Sequence, residues 1–207
     1  MVTAGPTFES IDPVRFIGNH SSGKMGYAIV NALVNAGADV ILISGPVQEK
    51  INHPRVKVIQ VVEAEDMFQA SVKYFSGVDA AILCAAVADF TPDSKSQEKL
   101  KRKGEMILKL EPTKDIAAHL GKIKKKDQIL VGFALETIDE KKNALKKLKR
   151  KNLDFIVLNS LKDKGAGFKS ETNKITIIDK TGEDVSFPVK DKKWVAEDII
   201  DKLNSFF

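Results

Sequence analysis

Apolar residues in this chain follow two periods, one typical of helices and one typical of buried strands. Over residues 23–36 they recur every three or four positions, which predicts a helix that Gly37 ends. A continuous apolar run at residues 38–43 follows and predicts a strand. The same order of helix and strand then recurs, with predicted helices over residues 64–75, 114–122 and 137–151 and predicted strands over residues 79–86, 128–132 and 154–158.

The two ends of the chain complete this pattern. Val2-Thr3-Ala4 resembles the last residues of a strand, and its short length leads us to expect that the chain is cut from a longer one. Near the other end, segments 174–178 and 184–189 flank Lys180-Thr181-Gly182 and predict a hairpin, followed by a helix over residues 192–203. The predicted fold is a single α/β domain over residues 1–207. It has a Rossmann-like, mostly parallel sheet flanked by helices, and an antiparallel C-terminal extension.

Residues 91–112 do not fit this alternation. The segment is long and basic and has no helical stripe, although residues 105–110 alternate well enough to predict a strand. Loops of this length inside a domain are usually functional or disordered. We therefore predict a projecting flap that could act as a lid over a site.

Composition restricts the class of protein. The chain has 43% hydrophobic and 29% charged residues, which are ordinary globular values. No apolar run approaches the roughly 20 residues that cross a bilayer, so we expect no membrane partner. The single cysteine, Cys84, lies in an apolar strand and predicts a buried thiol in a cytoplasmic protein. His20, His53 and His119 are scattered, and we expect no transition metal.

Charge gives a weak indication of partners. The 33 Lys and Arg residues exceed the 28 Asp and Glu residues, for a net charge of +5, which favours anionic partners. The lysine-rich segment 141–151 has Leu145 and Leu148 on one face and no aromatic residue for base stacking, so it predicts a solvated outer helix. We expect no nucleic acid, although a nucleic-acid-binding module that uses the lysine clusters stays an alternative.

The segment from Gly18 to Gly26 is the strongest candidate for anion binding. Gly18, Gly23 and Lys24 have the spacing of a P-loop, but Met25 stands where a hydroxyl would hold magnesium. The glycines do not match the dinucleotide fingerprint either. Ser21 and Ser22 are predicted to cap the following helix, which would direct free N–H groups at a phosphate near Ser22 and Gly23. The alternative is that these glycines only permit close helix packing.

Other candidate residues follow the predicted strands, where parallel sheets bind ligands. Arg15 could clamp a phosphate, and Asn19 could donate to a developing oxyanion. Gly45 would let the backbone approach a ligand. Ala85 and Ala86 would lie against a flat base. Asp89 would bind ribose hydroxyls, and Phe133 would cover the base; packing roles for the alanines and Phe133 are the alternative.

Several short segments carry a family resemblance that spans essentially the whole chain. They are Ala4-Gly5-Pro6-Thr7, residues 11–17, Asn19, residues 21–26, Ser44-Gly45-Pro46-Val47, residues 85–89, Lys99-Leu100-Lys101-Arg102, residues 131–134, Glu136-Thr137, Asn159 and Gly165-Ala166-Gly167-Phe168. With them the chain resembles the phosphopantothenoylcysteine synthetase family, the CoaB domain of bacterial coenzyme A biosynthesis. Gly18, His20, Arg102 and residues 113–115 depart from the family pattern.

The resemblance implies a ligase that joins 4'-phosphopantothenate to L-cysteine with CTP and Mg²⁺ through an acyl-cytidylate. It gives Asn19 a contact with the substrate carboxylate or the acyl-cytidylate, Arg15 a role in the second step, and Lys99 a role in neutralising charge during the first. It also implies nucleotide contacts by Ala85, Asp89 and Phe133, with Ser22 and Gly23 near the phosphates. A homodimer with a shared site and a fused flavin-dependent decarboxylase are further implications. The alternative from another class is an NADP-binding oxidoreductase.

Overall fold

The computed structural model describes residues 1–102, 104–136, 138–160 and 170–207, without the side chain of Ser160. Its strands are β1 (Val2–Ala4), β2 (Phe8–Ser10), β3 (Phe16–Gly18), β4 (Val40–Ser44), β5 (Val56–Gln60), β6 (Ala80–Leu83), β7 (Phe90–Pro92), β8 (Leu110–Pro112), β9 (Ile129–Glu136), β10 (Phe155–Ser160), β11 (Thr172–Asn173), β12 (Ile175–Asp179), β13 (Asp184–Ser186) and β14 (Lys190–Asp191). Its helices are α1 (Lys24–Asn35), α2 (Ala64–Phe75), α3 (Ile116–Ile123), α4 (Glu140–Arg150) and α5 (Lys192–Asn204).

Eight strands form the central sheet in the order β13-β12-β10-β9-β6-β1-β4-β5. The six strands from β10 to β5 are parallel, and β12 and β13 add to β10 as an antiparallel extension. The chain builds outward from β1 to β4 and β5 and then returns to place β6 on the other side of β1. The predicted Rossmann-like sheet with an antiparallel extension is confirmed, and the junction of β1 and β6 is its topological switch point.

Helices cover both faces of the sheet. Buried side chains of α1 and α5, such as Ile29 and Ile199, pack with Val2 and Val131 on one face. Residues of α2, α3 and α4 pack with the strands on the other face. A parallel strand covered on both faces has no polar side, which is why β9 has no charged or polar side chain from Ile129 to Leu135.

Several boundaries and small strands differ from the sequence prediction. The hairpin of β2 and β3 and the short pair of β11 and β14 were not predicted, because two- and three-residue pairings leave almost no periodicity. The edge strand β5 was also not predicted; none of its five residues is fully buried. The predicted strand at 105–110 is wrong, since only Leu110 of that segment is in a strand. Helix α4 begins at Glu140 with Asp139 at the preceding position, and Thr137 of the predicted cap lies outside the described residues.

Gly26 sets the distance between α1 and the sheet. A Cβ atom built on Gly26 would lie 2.5 Å from the Cβ of Ala4 in β1, a distance that real side chains essentially never show. The packing alternative for the glycines is therefore correct for Gly26. This close approach holds the start of α1 directly against the end of β1.

We predict that Gly26→Ala lowers the free energy of unfolding by about 1–3 kcal/mol, as overpacked sites do. Alanine is favoured over glycine in a helix by about 1 kcal/mol, so a net loss would show that the collision with Ala4 dominates. Denaturant unfolding measures the change as a lower midpoint with an unchanged slope. Gly77→Ala is the matched control, because the nearest atom to its Cβ is 4.0 Å away. Equal stability of the two variants would contradict the prediction.

Candidate functional site

Two clefts open at the carboxyl ends of the parallel strands, beside the switch point. Ala85, Ala86 and Phe133 line both of them and form their common wall. The first cleft has a volume of about 160 Å³ and is lined by Ser21, Ser22, Gly23, Lys24, Met25, Gly26, Cys84, Ala85, Ala86, Phe133, Ala134, Leu135, Asn159, Asn173 and Lys192. The second cleft has a volume of about 720 Å³ and includes Asp89, Phe90, the segment 112–117, Lys147 and Arg150 of α4, and Lys151.

The first cleft includes the start of α1, but the helix begins differently from the prediction. Gly23 occupies the capping position with a φ of 79°, and no side chain of the described residues caps the helix there. The predicted serine cap is therefore wrong; Ser21 Oγ instead accepts a 3.4 Å hydrogen bond from the Gly23 N–H. Glycine is required because of the positive φ and because a Cβ would lie 2.8 Å from Val47 Cγ1.

The segment after β6 is held in place by two threonines from the segment around β1. Thr3 Oγ1 accepts from the Ala85 N–H at 3.2 Å, and Thr7 Oγ1 accepts from the Ala88 N–H at 2.9 Å. Thr7 is fully buried, so this hydroxyl acts as an internal support. These hydrogen bonds from backbone N–H groups to threonine hydroxyls fix the segment that carries Ala85 and Ala86. A wall held in this way is suited to packing against a flat ring.

Asn19 contacts this common wall. Its Nδ2 atom donates a 2.7 Å hydrogen bond to the carbonyl oxygen of Ala86, although the two residues are 67 positions apart. Asn19 is exposed. The contact therefore places an exposed polar amide beside Ala86 of the common wall, although Asn19 itself lines neither cleft among the described residues.

The carboxylate of Asp12 joins the loop that carries Arg15 to the flap. The Asp12 side chain has no exposed surface, and it accepts hydrogen bonds from the backbone N–H groups of Val14 (2.9 Å), Arg15 (2.8 Å) and Leu100 (3.1 Å). The Arg15 guanidinium donates to the same carboxylate through Nε at 3.0 Å and through Nη2, which also donates to the Leu100 carbonyl oxygen at 3.0 Å. The guanidinium and the surrounding N–H groups hold the pKa of Asp12 well below its ordinary value.

The flap is attached at both of its ends. At one end the Ser96 N–H donates to the Ile11 carbonyl oxygen at 3.0 Å, next to the Asp12 junction. At the other end β7 pairs with β8, and Thr113 Oγ1 donates to the Ala88 carbonyl oxygen at 2.6 Å. Lys99 immediately precedes the anchored Leu100 and is exposed. It does not line either cleft among the described residues.

Gly45 lies apart from the clefts. A Cβ atom on Gly45 would lie 1.7 Å from the carbonyl oxygen of Pro6, and the Gly45 N–H donates to the Ala4 carbonyl oxygen at 2.9 Å. Neither cleft includes this residue among its described lining. The close chain crossing at Pro6 therefore explains the glycine, which the sequence analysis had assigned to the approach of a ligand.

The remaining candidates fall where the strand-end argument places them. Ser22, Gly23, Ala85, Ala86 and Phe133 line the first cleft, and Asp89 lines the second. The sequence predicts no role for Asp12, Asn173 or Lys192. Asp12 followed by Pro13 is a turn signal that could have drawn attention to that carboxylate. Asn173 and Lys192 have no comparable local signal.

Cys84 lines the first cleft as a protonated thiol. Burial raises its pKa to about 12, and the neighbouring Lys192 ammonium opposes this only partly. A thiol with so high a pKa is a poor nucleophile at neutral pH. The sequence predicts a buried thiol in a strand, whereas Cys84 follows the last residue of β6, is partly exposed and lines the cleft.

The described residues contain no group of three or more His, Cys, Asp or Glu side chains that could hold a metal ion. A divalent cation bound here would therefore take most of its ligands from substrate oxygens and water, which is the usual arrangement for Mg²⁺ at phosphates. In the part of the chain that the structure describes, no helix is long and apolar enough to cross a membrane.

Comparison with known proteins gives one family over the whole chain. The sequence model of the DNA/pantothenate metabolism flavoprotein C-terminal domain matches residues 1–206. A protein from an unknown prokaryotic organism, named cysteine/cysteine sulfinic acid decarboxylase, is 59% identical over 98% of this chain and 56% of its own length. The coenzyme A biosynthesis bifunctional protein CoaBC of Bacillus subtilis (strain 168) is 48% identical over 98% of this chain and 50% of its own length. The chain thus spans about half the length of these relatives.

Solved structures agree with this family. The crystal structure of the C-terminal domain of a coenzyme A biosynthesis bifunctional protein CoaBC superposes with a TM-score of 0.82 at 42% identity, covering 98% of this chain and 91% of that one. A Cab2 mutant in complex with phosphopantothenate-cysteine superposes with a TM-score of 0.78 over 99% of this chain and 86% of that one. At 15% identity, the second likeness shows the fold alone.

We predict that Asp12→Asn detaches the flap from the Arg15 loop, because asparagine has only one acceptor oxygen and the Asp12 carboxylate accepts at both of its oxygens. Hydrogen exchange of the Leu100 N–H should become roughly tenfold faster or more, which corresponds to the loss of a charge-assisted hydrogen bond. Asp93→Asn is the matched control, since Asp93 pairs with Lys109 on the same flap at 3.0 Å. Exchange at Leu100 that is slow in both variants would contradict the role of Asp12.

The same contact should depend on pH. Because the pKa of Asp12 is lowered on folding, the stability it contributes is complete above its ordinary pKa of 3.8 and is lost as the pH falls towards the lower value of the folded state. The difference in free energy of unfolding between the wild type and Asp12→Asn should therefore be constant near neutral pH and shrink below about pH 4. A difference that grows on acidification would contradict the assignment.

Proposed function

The chain belongs to the DNA/pantothenate metabolism flavoprotein C-terminal domain family, and from this premise we propose that it is a CTP-dependent phosphopantothenate–cysteine ligase of coenzyme A biosynthesis. The observation that carries the proposal is the convergence of separate family segments at one sheet edge. Asn19 contacts the common wall of the clefts, and Asp12 ties Arg15 to the flap that bears Lys99. The relatives named CoaBC support the pathway.

The proposed reaction has two steps. In the first, a carboxylate oxygen of 4'-phosphopantothenate attacks the α-phosphorus of CTP, a P–O bond forms, and pyrophosphate leaves. In the second, the amine of L-cysteine attacks the acyl carbon of the acyl-cytidylate, an amide bond forms, and CMP leaves with the bonding electron pair while the amine loses a proton. The products are 4'-phosphopantothenoylcysteine, CMP and pyrophosphate.

Charge is the main demand of the first step. A carboxylate that approaches a triphosphate brings negative groups together, so the site must supply cations and oriented N–H groups. We assign this role to Lys99 on the flap and to the start of α1 at Gly23, where no described side chain caps the helix. Mg²⁺ bound to the triphosphate would neutralise further negative charge and orient the phosphates.

The nucleotide has a defined place in this proposal. The base lies against Ala85 and Ala86 beside Phe133, Asp89 takes the ribose hydroxyls, and the phosphates extend towards Ser22 and Gly23. Volume supports two adjacent subsites, because the common wall separates a small cleft from a larger one. Asn19, which contacts Ala86 of the common wall, is then positioned to bind the acyl-cytidylate carbonyl, and Arg15 assists the second step.

We also propose a homodimer with a shared site. Phe16 and Phe90 are each 52% exposed, and Met106 and Ile107 on the flap are 52% and 92% exposed. Large apolar side chains exposed together favour a protein–protein contact. The relatives are about twice as long as this chain, so we propose that a flavin-dependent phosphopantothenoylcysteine decarboxylase is fused to it or associated with it. We propose the cytoplasm as its location.

An NADP-dependent oxidoreductase is not favoured. The family match covers the chain and concerns coenzyme A biosynthesis proteins. In addition, Gly18, Gly23 and Gly26 lack the spacing of the dinucleotide fingerprint, and Gly26 is explained by its contact with Ala4.

The proposal predicts that the protein forms 4'-phosphopantothenoylcysteine from 4'-phosphopantothenate and L-cysteine with CTP and Mg²⁺. Product is measured by mass spectrometry, with CTP and ATP supplied in parallel and a reaction without cysteine as control. The reaction without cysteine should still release pyrophosphate and accumulate the acyl-cytidylate. Product with ATP but not CTP would contradict the nucleotide assignment, and no product with either would contradict the function.

Lys99→Gln should slow pyrophosphate release roughly 100-fold or more, because removal of a group that stabilises transition-state charge has effects of this size. Lys109→Gln is the matched control: it removes the same charge from the same flap, at an 83% exposed side chain. Single-turnover release of pyrophosphate from CTP measures the step. If both variants release pyrophosphate at the wild-type rate, Lys99 has no role in it.

A further inference from the structure

Ala88, the residue before Asp89, is bonded at both of its backbone polar groups. Its N–H donates to Thr7 Oγ1 at 2.9 Å, and its carbonyl oxygen accepts from Thr113 Oγ1 at 2.6 Å. Ala88 is 6% exposed. A buried carbonyl oxygen is costly to leave without a hydrogen bond, so the Thr113 hydroxyl supplies a contact that this segment needs.

Thr113 also holds the backbone of Asp89 itself. Its N–H donates to the Asp89 carbonyl oxygen at 3.0 Å. One residue therefore bonds the two carbonyl groups on either side of the Asp89 Cα atom, the first through its hydroxyl and the second through its backbone. Together these contacts fix the direction in which the Asp89 side chain leaves the chain.

The Asp89 carboxylate is not held by contacts of its own. Asp89 is exposed and lines the second cleft, and no hydrogen bond or ion pair reaches its carboxylate from the described residues. Its position in the cleft is therefore set by the backbone. A carboxylate with available oxygens at a cleft can accept hydrogen bonds from a pair of hydroxyls on a ligand.

Thr113 lies where the flap rejoins the domain. It directly follows β8, is half-buried, and lines the second cleft together with Asp89. Because residues 113–115 depart from the family pattern, the resemblance gives Thr113 no role. Its contact with Ala88 joins this end of the flap to the segment that carries Asp89.

We propose that Thr113 is a positioning residue that holds Asp89 for recognition of the ribose hydroxyls of the nucleotide. The proposal deepens the proposed function and rests on it for the ribose contact of Asp89. In this role Thr113 contacts the backbone of Ala88 and Asp89 and not the ribose. Its effect is on discrimination between a ribonucleotide and an analogue without ribose hydroxyls, rather than on nucleotide affinity in general.

The test is equilibrium binding to the full chain by calorimetry in the presence of Mg²⁺, with CTP and 2',3'-dideoxy-CTP as separate probes. The wild type should prefer CTP roughly 10- to 100-fold, the range for hydrogen bonds to a charged group. Thr113→Val removes the hydroxyl but keeps the shape of the side chain, and it should lower this preference roughly 3- to 10-fold. Thr113→Ser should restore most of the preference, because it returns the hydroxyl.

Thr91→Val is the matched control. Thr91 lies in β7, which pairs with β8 at the same end of the flap, and its Oγ1 atom is buried without a hydrogen-bond partner among the described residues. The control removes a hydroxyl without breaking a hydrogen bond, so its preference for CTP should equal that of the wild type. A loss of preference as large as in Thr113→Val would overturn the proposal, because it would show a general loosening of the flap.

A second set of variants tests whether Thr113 acts through Asp89. Asp89→Ala should remove most of the preference for CTP. Adding Thr113→Val to Asp89→Ala should change the remaining preference by less than about twofold, as expected for two residues that act through one contact. A reduction as large as in the single variant would overturn the positioning role, as would a Thr113→Val protein with the wild-type preference.

If Thr113→Val does not fold, hydrogen exchange of the wild type decides. CTP should slow exchange of the Thr113 N–H more than 2',3'-dideoxy-CTP does, because that N–H bonds the carbonyl oxygen of Asp89. Equal exchange with the two nucleotides would overturn the proposal.

Failure of this inference and failure of the proposed function give different results. A protein that prefers CTP through Thr113 and Asp89 but forms no phosphopantothenoylcysteine would leave the inference standing and overturn the ligase. A wild type that binds the two nucleotides equally would overturn the inference alone. A wild type that binds neither nucleotide would overturn both.

Discussion

The carboxylate of Asp12 is the contact on which the geometry of the site depends. It receives three backbone N–H groups and the guanidinium of Arg15, and one of those N–H groups belongs to Leu100 in the flap, 88 residues away. An unpaired carboxylate in a position without exposed surface would be expensive, so the loop and the flap must both stay in place to satisfy it. The buried charge thus acts as a clamp that positions Arg15 and, through Leu100, its neighbour Lys99.

The Asp12 contact can position Arg15 and Lys99 because the neighbouring edge of the sheet is itself rigid. Gly26 lets α1 approach β1 so closely that the helix start lies at the switch point, and Thr3 and Thr7 fix the segment after β6 beside it. The two clefts therefore share a wall with little freedom to move, while the cationic flap is attached at Ser96, at Leu100 and through the pairing of β7 with β8. This division, a fixed wall for binding and an attached arm for charge, suits a reaction that must bring two anionic substrates together.

Much of the fold could be predicted, because both faces of its parallel strands are covered. Such strands appear in the sequence as continuous apolar runs, and those inside the sheet were found within a few residues of their true bounds, as was α2 over Ala64–Phe75, whereas the edge strand β5 was missed. The errors occur where pairing is short or exposed. The strand expected at 105–110 reduces to Leu110–Pro112, since alternation in an exposed arm has no core to enforce it. Gly45 was assigned to a ligand because the sequence does not show that Pro6 crosses it.

The sequence by itself determined the elements, the family and the strand-end residues that form the common wall, because local periodicity and strand order already place such residues at one edge of a parallel sheet. Only the tertiary structure decided which distant groups meet there. Nothing near Asp12 in the sequence indicates Leu100, and nothing near Lys192 indicates Asn159 or the start of α1. The physical reason is that burial and charge pairing depend on which chain segments pack together in the fold. A sequence pattern shows the periodicity and polarity of each segment but not the segment that it contacts.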